Sequence, residues 1–181
     1  LTFKNEDMRT SSIEMGASNS EYFKNTSAPS NDNFWLTLTT PSNMNIVIAM
    51  SYNPNAENTF ERFDSKVPNE AVTENFYSLS SDAKKLAIQS RKDFTTSDVV
   101  PLGIKSSKTE IQKISIDEKY GVFENQNIYL KDNLLNIVTN LSQGAYEFTA
   151  PIGINENRFE IVFEPSATLD TGASTIASLQ V

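Results

Sequence analysis

The sequence predicts an all-β fold, and more specifically an antiparallel β-sandwich that could take the jelly-roll arrangement. Apolar and polar residues alternate with a period of two in many short runs, which is typical of strands with one buried face. Asn, Ser and Thr separate these runs, and they favour turns and pleated surfaces over helix interiors. The 181 residues, 38% of them hydrophobic, suit one domain with a substantial core.

The first predicted element is a β-hairpin. Residues 34–39 and 45–50 each place alternate apolar side chains on one face, and Pro41-Ser42-Asn43 between them predicts a turn. The same alternation predicts further strands around residues 76–77, 86–89, 99–104, 114–116, 146–149 and 158–164.

Two segments depart from simple alternation. Pro101 interrupts the strand at 99–104, which predicts an edge strand or a bulge. Residues 130–141 contain leucines near the spacing of an amphipathic helix of three turns. The turn-forming residues 131–133 and the consecutive β-branched residues after Asn136 favour strands instead, so we predict a hairpin there.

The composition excludes several classes of function. The formal net charge is −8 and Lys and Arg do not cluster, so we expect no nucleic-acid binding and no attachment to an anionic membrane surface. No apolar run is long enough to span a bilayer, so we expect no membrane insertion. The absence of cysteine and histidine removes disulfides, thiol catalysis, serine–histidine triads and nearly all zinc sites.

One motif suggests catalysis. Asp170-Thr171-Gly172 matches the sequence in which an aspartic protease presents its catalytic carboxylate. Only eleven residues follow Asp170, however, and residues 166–169 before it are small and mostly polar, unlike an apolar strand. We interpret the motif as a turn in a linker and predict that the chain is not an enzyme.

We expect the chain to have three parts. Residues 1–33 form a polar segment that packs on the domain or leads into it, and residues 34–165 form the β-sandwich module. Residues 166–181, rich in Ser, Thr, Ala and Gly, read as a linker. Because the chain opens on Leu1 and not on Met, we expect it to be a piece of a longer protein.

The only tryptophan, Trp35, is the first candidate binding residue. It shares a face with Thr37 and Thr39, and an exposed Trp or Tyr can stack on the apolar face of a pyranose. Tyr52 follows the next strand and could lie near, so Trp35 and Tyr52 are the candidate carbohydrate-binding residues. The alternative is that Trp35 packs in the core or under the N-terminal segment, because large aromatic side chains are usually buried.

The loop around Asp64 is the candidate metal site. Glu57, Glu61 and Asp64 crowd it, but the alternating aspartates and the glycine of a typical Ca²⁺ loop are missing. We expect no cofactor, with Ca²⁺ at Asp64 as the one metal ion left open, and otherwise a loop of solvated charges. Phe60 and Phe63 are expected to fasten this loop to the core.

The remaining charged candidates are expected to be structural. Glu147 and Glu160 lie in apolar runs but alternate onto the polar face, away from the apolar pocket that a glycosidase acid requires. Arg158 is expected to pair with Glu147 on a neighbouring strand, in a contact worth less than about 1 kcal/mol.

Five segments together resemble a known protein region. They are WLTLT (35–39), NTFERFDS (58–65), VPLGI (100–104), GVFENQNIYLKDNLLNIVTNLSQGAYEFTA (121–150) and NRFEIVF (157–163). The region is the β-rich part near the C-terminus of large secreted and cell-surface proteins of Bacteroidetes (Flavobacteriia). The fourth segment is long and specific. The second departs from the family, which usually carries Gly-Phe-Asp where this chain has Thr59-Phe60-Glu61.

In that family the region precedes a short sorting domain read by the type IX secretion system, and STIASLQV (174–181) is similar to the start of such a domain. The resemblance implies export across the outer membrane and then release or surface attachment, with the secretion machinery as partner through the adjoining C-terminal region. It implies no catalytic activity for residues 34–165. Two functions therefore stay open: a structural or adhesive module, and a carbohydrate-binding module that tethers a secreted enzyme to polysaccharide or a cell-surface glycan. A hydrolase would require a paired carboxylate in a pocket.

Overall fold

The computed structural model describes residues 32–68 and 72–165, and this part of the chain is built from β-strands. The strands are β1 (Asp32–Thr39), β2 (Asn45–Tyr52), β3 (Ser65–Lys66), β4 (Asn75–Leu79), β5 (Lys85–Arg91), β6 (Val99–Ser106), β7 (Glu110–Tyr120), β8 (Tyr129–Asp132), β9 (Ile137–Asn140), β10 (Tyr146–Ala150) and β11 (Gly153–Val162). A 3₁₀ turn at Gly121–Glu124 follows β7. The all-β prediction is confirmed.

The strands form one mixed sheet in the order β10-β7-β1-β2-β5-β4-β6-β11-β8-β9, with β3 beside β5. β2 and β5 pair in parallel, whereas the other pairings of the described strands are antiparallel. The antiparallel sandwich expected from the sequence is corrected on both points, because a single mixed sheet nearly closes into a barrel. The parallel pair requires a long connection, which residues 53–84 supply by passing through β3 and β4.

Side chains bring the two ends of the sheet together. The hydroxyl of Tyr146 donates a hydrogen bond of 2.8 Å to Asp132. Tyr146 belongs to β10 at one end of the strand order, and Asp132 belongs to β8 near the other end. The ring centroids of Phe148 in β10 and Phe159 in β11 lie 4.7 Å apart. These contacts explain how an open strand order encloses one continuous core.

The core lies inside the curved sheet. The predicted hairpin of β1 and β2 is confirmed, and Leu36 stands opposite Ile48 in its register. The fully buried side chains of the core include Phe34, Leu36, Leu38, Ile48, Met50, Phe76, Leu102, Ile104, Ile114, Phe123, Leu130, Phe159 and Ile161. Except for Phe123, which lies in the 3₁₀ turn, these residues face inward from their strands, as the period-2 alternation requires.

The hairpin predicted for residues 130–141 is also confirmed, because β8 and β9 pair in antiparallel fashion. Asp132 closes its turn by accepting the backbone N–H of Leu134 at 2.9 Å, and Asn136 has a positive φ of 54°. Both features are typical of Asp and Asn in turns. The local turn chemistry therefore outweighs the helical spacing of the leucines.

Of the two alternatives expected from Pro101, the edge position is wrong, because β6 lies between β4 and β11. An irregularity does lie beside the proline, where the register of β11 with β6 shifts between Asn155 and Phe159. The register of β4 with β6 ends where Ser78 faces Leu102, one residue short of the proline. The missing N–H of Pro101 therefore costs no hydrogen bond to β4.

The expected three-part organisation falls partly outside the described residues. β1 begins at Asp32, inside the segment 1–33 that is expected to pack on the module or lead into it. Residues 1–31 and the tail 166–181, including the Asp170-Thr171-Gly172 motif, lie outside the described part of the chain. Across residues 32–68 and 72–165, no helix has the length and apolar character needed to cross a bilayer.

Candidate functional site

Trp35 and Tyr120 form an aromatic corner on the outer face of the sheet. The alternation of β1 buries Phe34 and Leu36 and turns Trp35 outward, where it is half-buried. The ring centroids of Trp35 and Tyr120 lie 5.6 Å apart with their planes at 85°, and Tyr120 is 48% exposed. A sugar ring can therefore pack against one aromatic ring while touching the other.

A β-bulge places two carboxylates beside this aromatic corner. The register of β1 with β7 shifts between Phe34 and Leu36, so that Asp117 and Glu118 both stand opposite Trp35. The tyrosine hydroxyl of the corner donates to Glu118 Oε2 over 2.9 Å. This hydrogen bond and the charge of Glu118 raise the pKa of that hydroxyl above its ordinary value. The field at the corner is therefore negative.

Asn33 lies on the same face of β1 as Trp35. It stands opposite Tyr120 in the register of β1 with β7, and residues directly opposite in an antiparallel pair share a face. Its Oδ1 is shielded from solvent, and no donor within the described part of the chain reaches it. The exposed acceptors beside the aromatic corner are therefore the two carboxylates of Asp117 and Glu118, which suit a ligand that donates hydrogen bonds.

The sequence pointed to Trp35 but missed its neighbours. Asn33 and Tyr120 meet because β1 pairs with β7, and the bulge brings both carboxylates opposite Trp35. A weak signal was present, since the adjacent acids Asp117 and Glu118 interrupt the alternation that precedes them in β7.

Tyr52, the second candidate carbohydrate-binding residue, lies on the opposite face from Trp35. It is 5% exposed and packs within the core cluster. Its hydroxyl donates to Asp98 Oδ2 at 2.7 Å, and Arg91 Nε donates to the same oxygen at 2.8 Å. Burial, followed by the charge of Asp98, raises the pKa of the Tyr52 hydroxyl. The structure therefore does not bring Trp35 and Tyr52 together, and Tyr52 offers no ring face to a sugar.

Asp64, the candidate Ca²⁺ ligand, fastens its loop to the sheet. Its Oδ1 accepts the backbone N–H of Ser90 at 2.7 Å, and its Oδ2 accepts that of Glu61 at 2.9 Å. Among the described residues, no group of three or more Asp, Glu, His or Cys side chains is arranged to hold a metal ion. Both oxygens of Asp64 thus have a structural use.

The two phenylalanines of this loop do not enter the core as expected. Phe60 is 38% exposed, and the Lys66 ammonium lies 4.6 Å from its ring centroid. Phe63 is half-buried with the Arg62 guanidinium 4.6 Å from its ring centroid. The loop is held by hydrogen bonds to Asp64 and not by an aromatic staple.

The partner predicted for Arg158 is corrected. Its guanidinium binds Asp132, with Nη2 to Oδ2 at 2.7 Å, while Glu147 stands opposite Lys113 in the register of β10 with β7. The prediction failed because the register of β11 with β6 shifts between Asn155 and Phe159. The alternation of faces along β11 breaks at this shift, so Arg158 is buried and not on the polar face. Burial opposes ionisation of Asp132, but the hydrogen bonds from Arg158 and from the β10 tyrosine outweigh it and lower the pKa of Asp132.

An apolar groove of about 560 Å³ lies between the starts of β2 and β4. Its described lining is Met44, Asn45, Ile46, Val47, Val67, Pro68, Val72, Thr73, Glu74, Asn75, Phe76 and Ala87. The carboxylate of Glu74 is already engaged by the backbone and hydroxyl of Ser107 and by Gln112. The described lining therefore presents apolar surface and no uncommitted charge.

Comparisons with known proteins give a family and no named relative. No curated protein and no solved structure shows significant similarity to the chain. The model of a domain of unknown function, DUF8693, matches residues 1–163 and so covers both the aromatic corner and the Arg158–Asp132 pair. The chain therefore belongs to the DUF8693 family.

Proposed function

We propose that this chain is a non-catalytic β-domain of a protein exported by the type IX secretion system to the extracellular medium or the outer-membrane surface. Its work there is structural or adhesive, and it presents the adjoining C-terminal sorting region to the secretion machinery. One observation carries the proposal: the segments with the strongest resemblance to exported proteins supply the side chains that join the two ends of the sheet.

The joining residues belong to those segments in a specific way. Asp132 and Tyr146 come from the segment 121–150, and Arg158 comes from the segment 157–163. Arg158 also donates to the backbone carbonyl of Thr149 in β10 at 2.9 Å. Because these side chains are engaged in closing the sheet, they support a structural role better than a catalytic one.

The ionisation of the described carboxyl groups supports the same role. Asp98 and Asp132 each bind an arginine, and the hydrogen bonds they accept hold their pKa values below the ordinary range in spite of burial. A glycosidase acid needs the opposite, which is a pKa raised by an apolar pocket. Within the described chain, each carboxyl group with a shifted pKa is shifted downward.

Cell fractionation tests the proposal. In the bacterium that encodes the chain, the parent protein is given an epitope tag in an exposed turn and is followed in strains with and without a working type IX translocon. We expect the tag in the medium or on the cell surface of the first strain and in the periplasm of the second. A cytoplasmic location in both strains, or equal export with and without the translocon, would exclude the proposal.

A second candidate function, carbohydrate binding, is favoured by the aromatic corner of Trp35 and Tyr120. Because Trp35 is the sole tryptophan, its fluorescence reports on this site alone. We expect emission that acrylamide quenches and that shifts to the blue with a bound glycan, and we expect Tyr120→Ala to weaken the binding that this shift reports. Emission that stays unchanged with every glycan would remove this candidate and leave the structural role.

A further inference from the structure

We propose that the aromatic corner of Trp35 and Tyr120 binds a glycan whose sugar rings carry protonated amino groups. This inference rests on the second candidate function and adds the class of sugar. The two exposed carboxylates beside the corner, Asp117 and Glu118, decide the class, because they are negative and accept hydrogen bonds.

The carboxylates lie beside the corner. Asp117 and Glu118 stand across the bulge from Trp35, and both side chains are exposed. Neighbouring strands lie about 5 Å apart. An ammonium group on a ring stacked against Trp35 is therefore within reach of the carboxylates.

The nearest cation of β7 is not available to neutralise the acids. The ammonium of Lys119 is directed to the backbone carbonyls of Glu124 and Gln126, at 3.5 and 3.4 Å. The charge of Glu124 adds to that of Glu118 in raising the pKa of the Tyr120 hydroxyl, which is a second sign of a negative field. A cation beside the face of Trp or Tyr also gains a cation–π attraction.

The same features select against acidic polysaccharides. A uronic acid or a sulfate ester would place negative charge beside Asp117 and Glu118, and like charges at an interface reduce affinity. The whole chain carries a formal charge of −8, so long-range steering acts in the same direction. A neutral sugar keeps the stacking contact but lacks the charge-assisted hydrogen bonds, which are roughly twice as strong as neutral ones.

The test compares three oligosaccharides of equal length on the folded chain by isothermal titration calorimetry and Trp35 fluorescence. They are a β-linked glucosamine oligomer at a pH that protonates its amino groups, its fully N-acetylated counterpart, and an oligomer of uronic acid. We expect the glucosamine oligomer to bind about tenfold more tightly than the acetylated one. The uronic acid oligomer should not bind, and added salt should weaken only the binding of the glucosamine oligomer.

Variants separate the corner from general electrostatics. Asp117→Asn with Glu118→Gln should remove the preference for the glucosamine oligomer and leave the acetylated oligomer unchanged. Asp93→Asn with Glu147→Gln removes two exposed acids outside the corner, should change neither affinity and serves as the control matched in charge. Tyr120→Ala removes an exposed ring and should weaken both ligands.

Each outcome has one meaning. If the acetylated oligomer binds as tightly as the glucosamine oligomer, carbohydrate binding stands and the preference for amino sugars is wrong. If Asp93→Asn with Glu147→Gln weakens binding as much as Asp117→Asn with Glu118→Gln does, net charge and not the corner attracts the ligand, and the inference fails. If no oligomer binds, both the inference and the carbohydrate-binding function fail.

Discussion

Arg158 Nη2 lies 2.7 Å from Asp132 Oδ2, with 5% and 1% of the two side chains exposed. Asp132 also accepts a hydrogen bond from the hydroxyl of Tyr146, and Arg158 also donates one to the backbone carbonyl of Thr149. Two strands near one end of the strand order are thereby bound to β10 at the other. Removing one partner of such a buried ion pair lowers stability strongly, because the other charge is left buried without a partner.

Asp132→Asn should be strongly destabilising. It leaves the Arg158 guanidinium buried without a counter-charge, so we expect a loss of about 3–5 kcal/mol in the free energy of unfolding. Urea denaturation followed by circular dichroism measures the change. Glu160→Gln is the matched control, because Glu160 pairs with Lys131 one register step away and both side chains are about 30% exposed. The control should cost no more than about 1 kcal/mol, and an equal cost for the two variants would contradict the prediction.

Acid should destabilise the domain through Asp98. Burial opposes its ionisation, but hydrogen bonds from Arg91 and Tyr52 hold its pKa below the unfolded value of about 3.9. The unfolded chain therefore takes up the proton first as the pH falls, and the stability present above about pH 4 is lost below it. In unfolding measurements from neutral to acidic pH, Asp98→Asn should be less stable at neutral pH but lose less on acidification. A variant with the full acid-dependent loss of the wild type would show that Asp98 is not responsible.

Gln89→Met should stabilise the protein. Gln89 is fully buried opposite Met50, and neither atom of its amide has a hydrogen-bond partner in the described chain. Replacing an unpaired buried amide by an apolar side chain of similar shape removes a penalty of about 1–3 kcal/mol. Gln112→Met is the contrasting variant, because the amide nitrogen of Gln112 donates to Glu74 and Ser106. It should lower the melting temperature that Gln89→Met raises, and a loss of stability in both variants would refute the argument.

Gly103→Ala should be destabilising because Tyr77 lies across the glycine. A Cβ at position 103 would come within 2.1 Å of Tyr77 Cε2, so the ring would have to move. Overpacking of this kind costs about 1–3 kcal/mol. Gly144→Ala, with no atom within 4 Å of the new Cβ, should change stability by less than about 0.5 kcal/mol. If thermal unfolding finds the two variants alike, the ring of Tyr77 is not confined as described.

The local pattern of the sequence predicted more of the strands than of their neighbours. The hairpins β1–β2 and β8–β9 could be predicted because their strands are adjacent in the chain and their turns carry Pro, Asn and Asp. The parallel pairing of β2 with β5 could not, because thirty-two residues separate those strands and alternation does not say which strands meet. For the same reason, the sequence pattern did not identify Asp132 as the partner of Arg158.

The residues of the candidate site show the same difference between what is fixed locally and what depends on distant segments. The sequence by itself determined that Trp35 is the sole tryptophan and faces away from Leu36, since side chains alternate along a strand. Only the tertiary structure decided that Tyr52 is buried, that Tyr120 meets Trp35, and that Asp132 neutralises Arg158. The physical reason is that a strand fixes the face of each residue locally, whereas its partners depend on register, bulges and strand order, which are settled only when distant segments pack together.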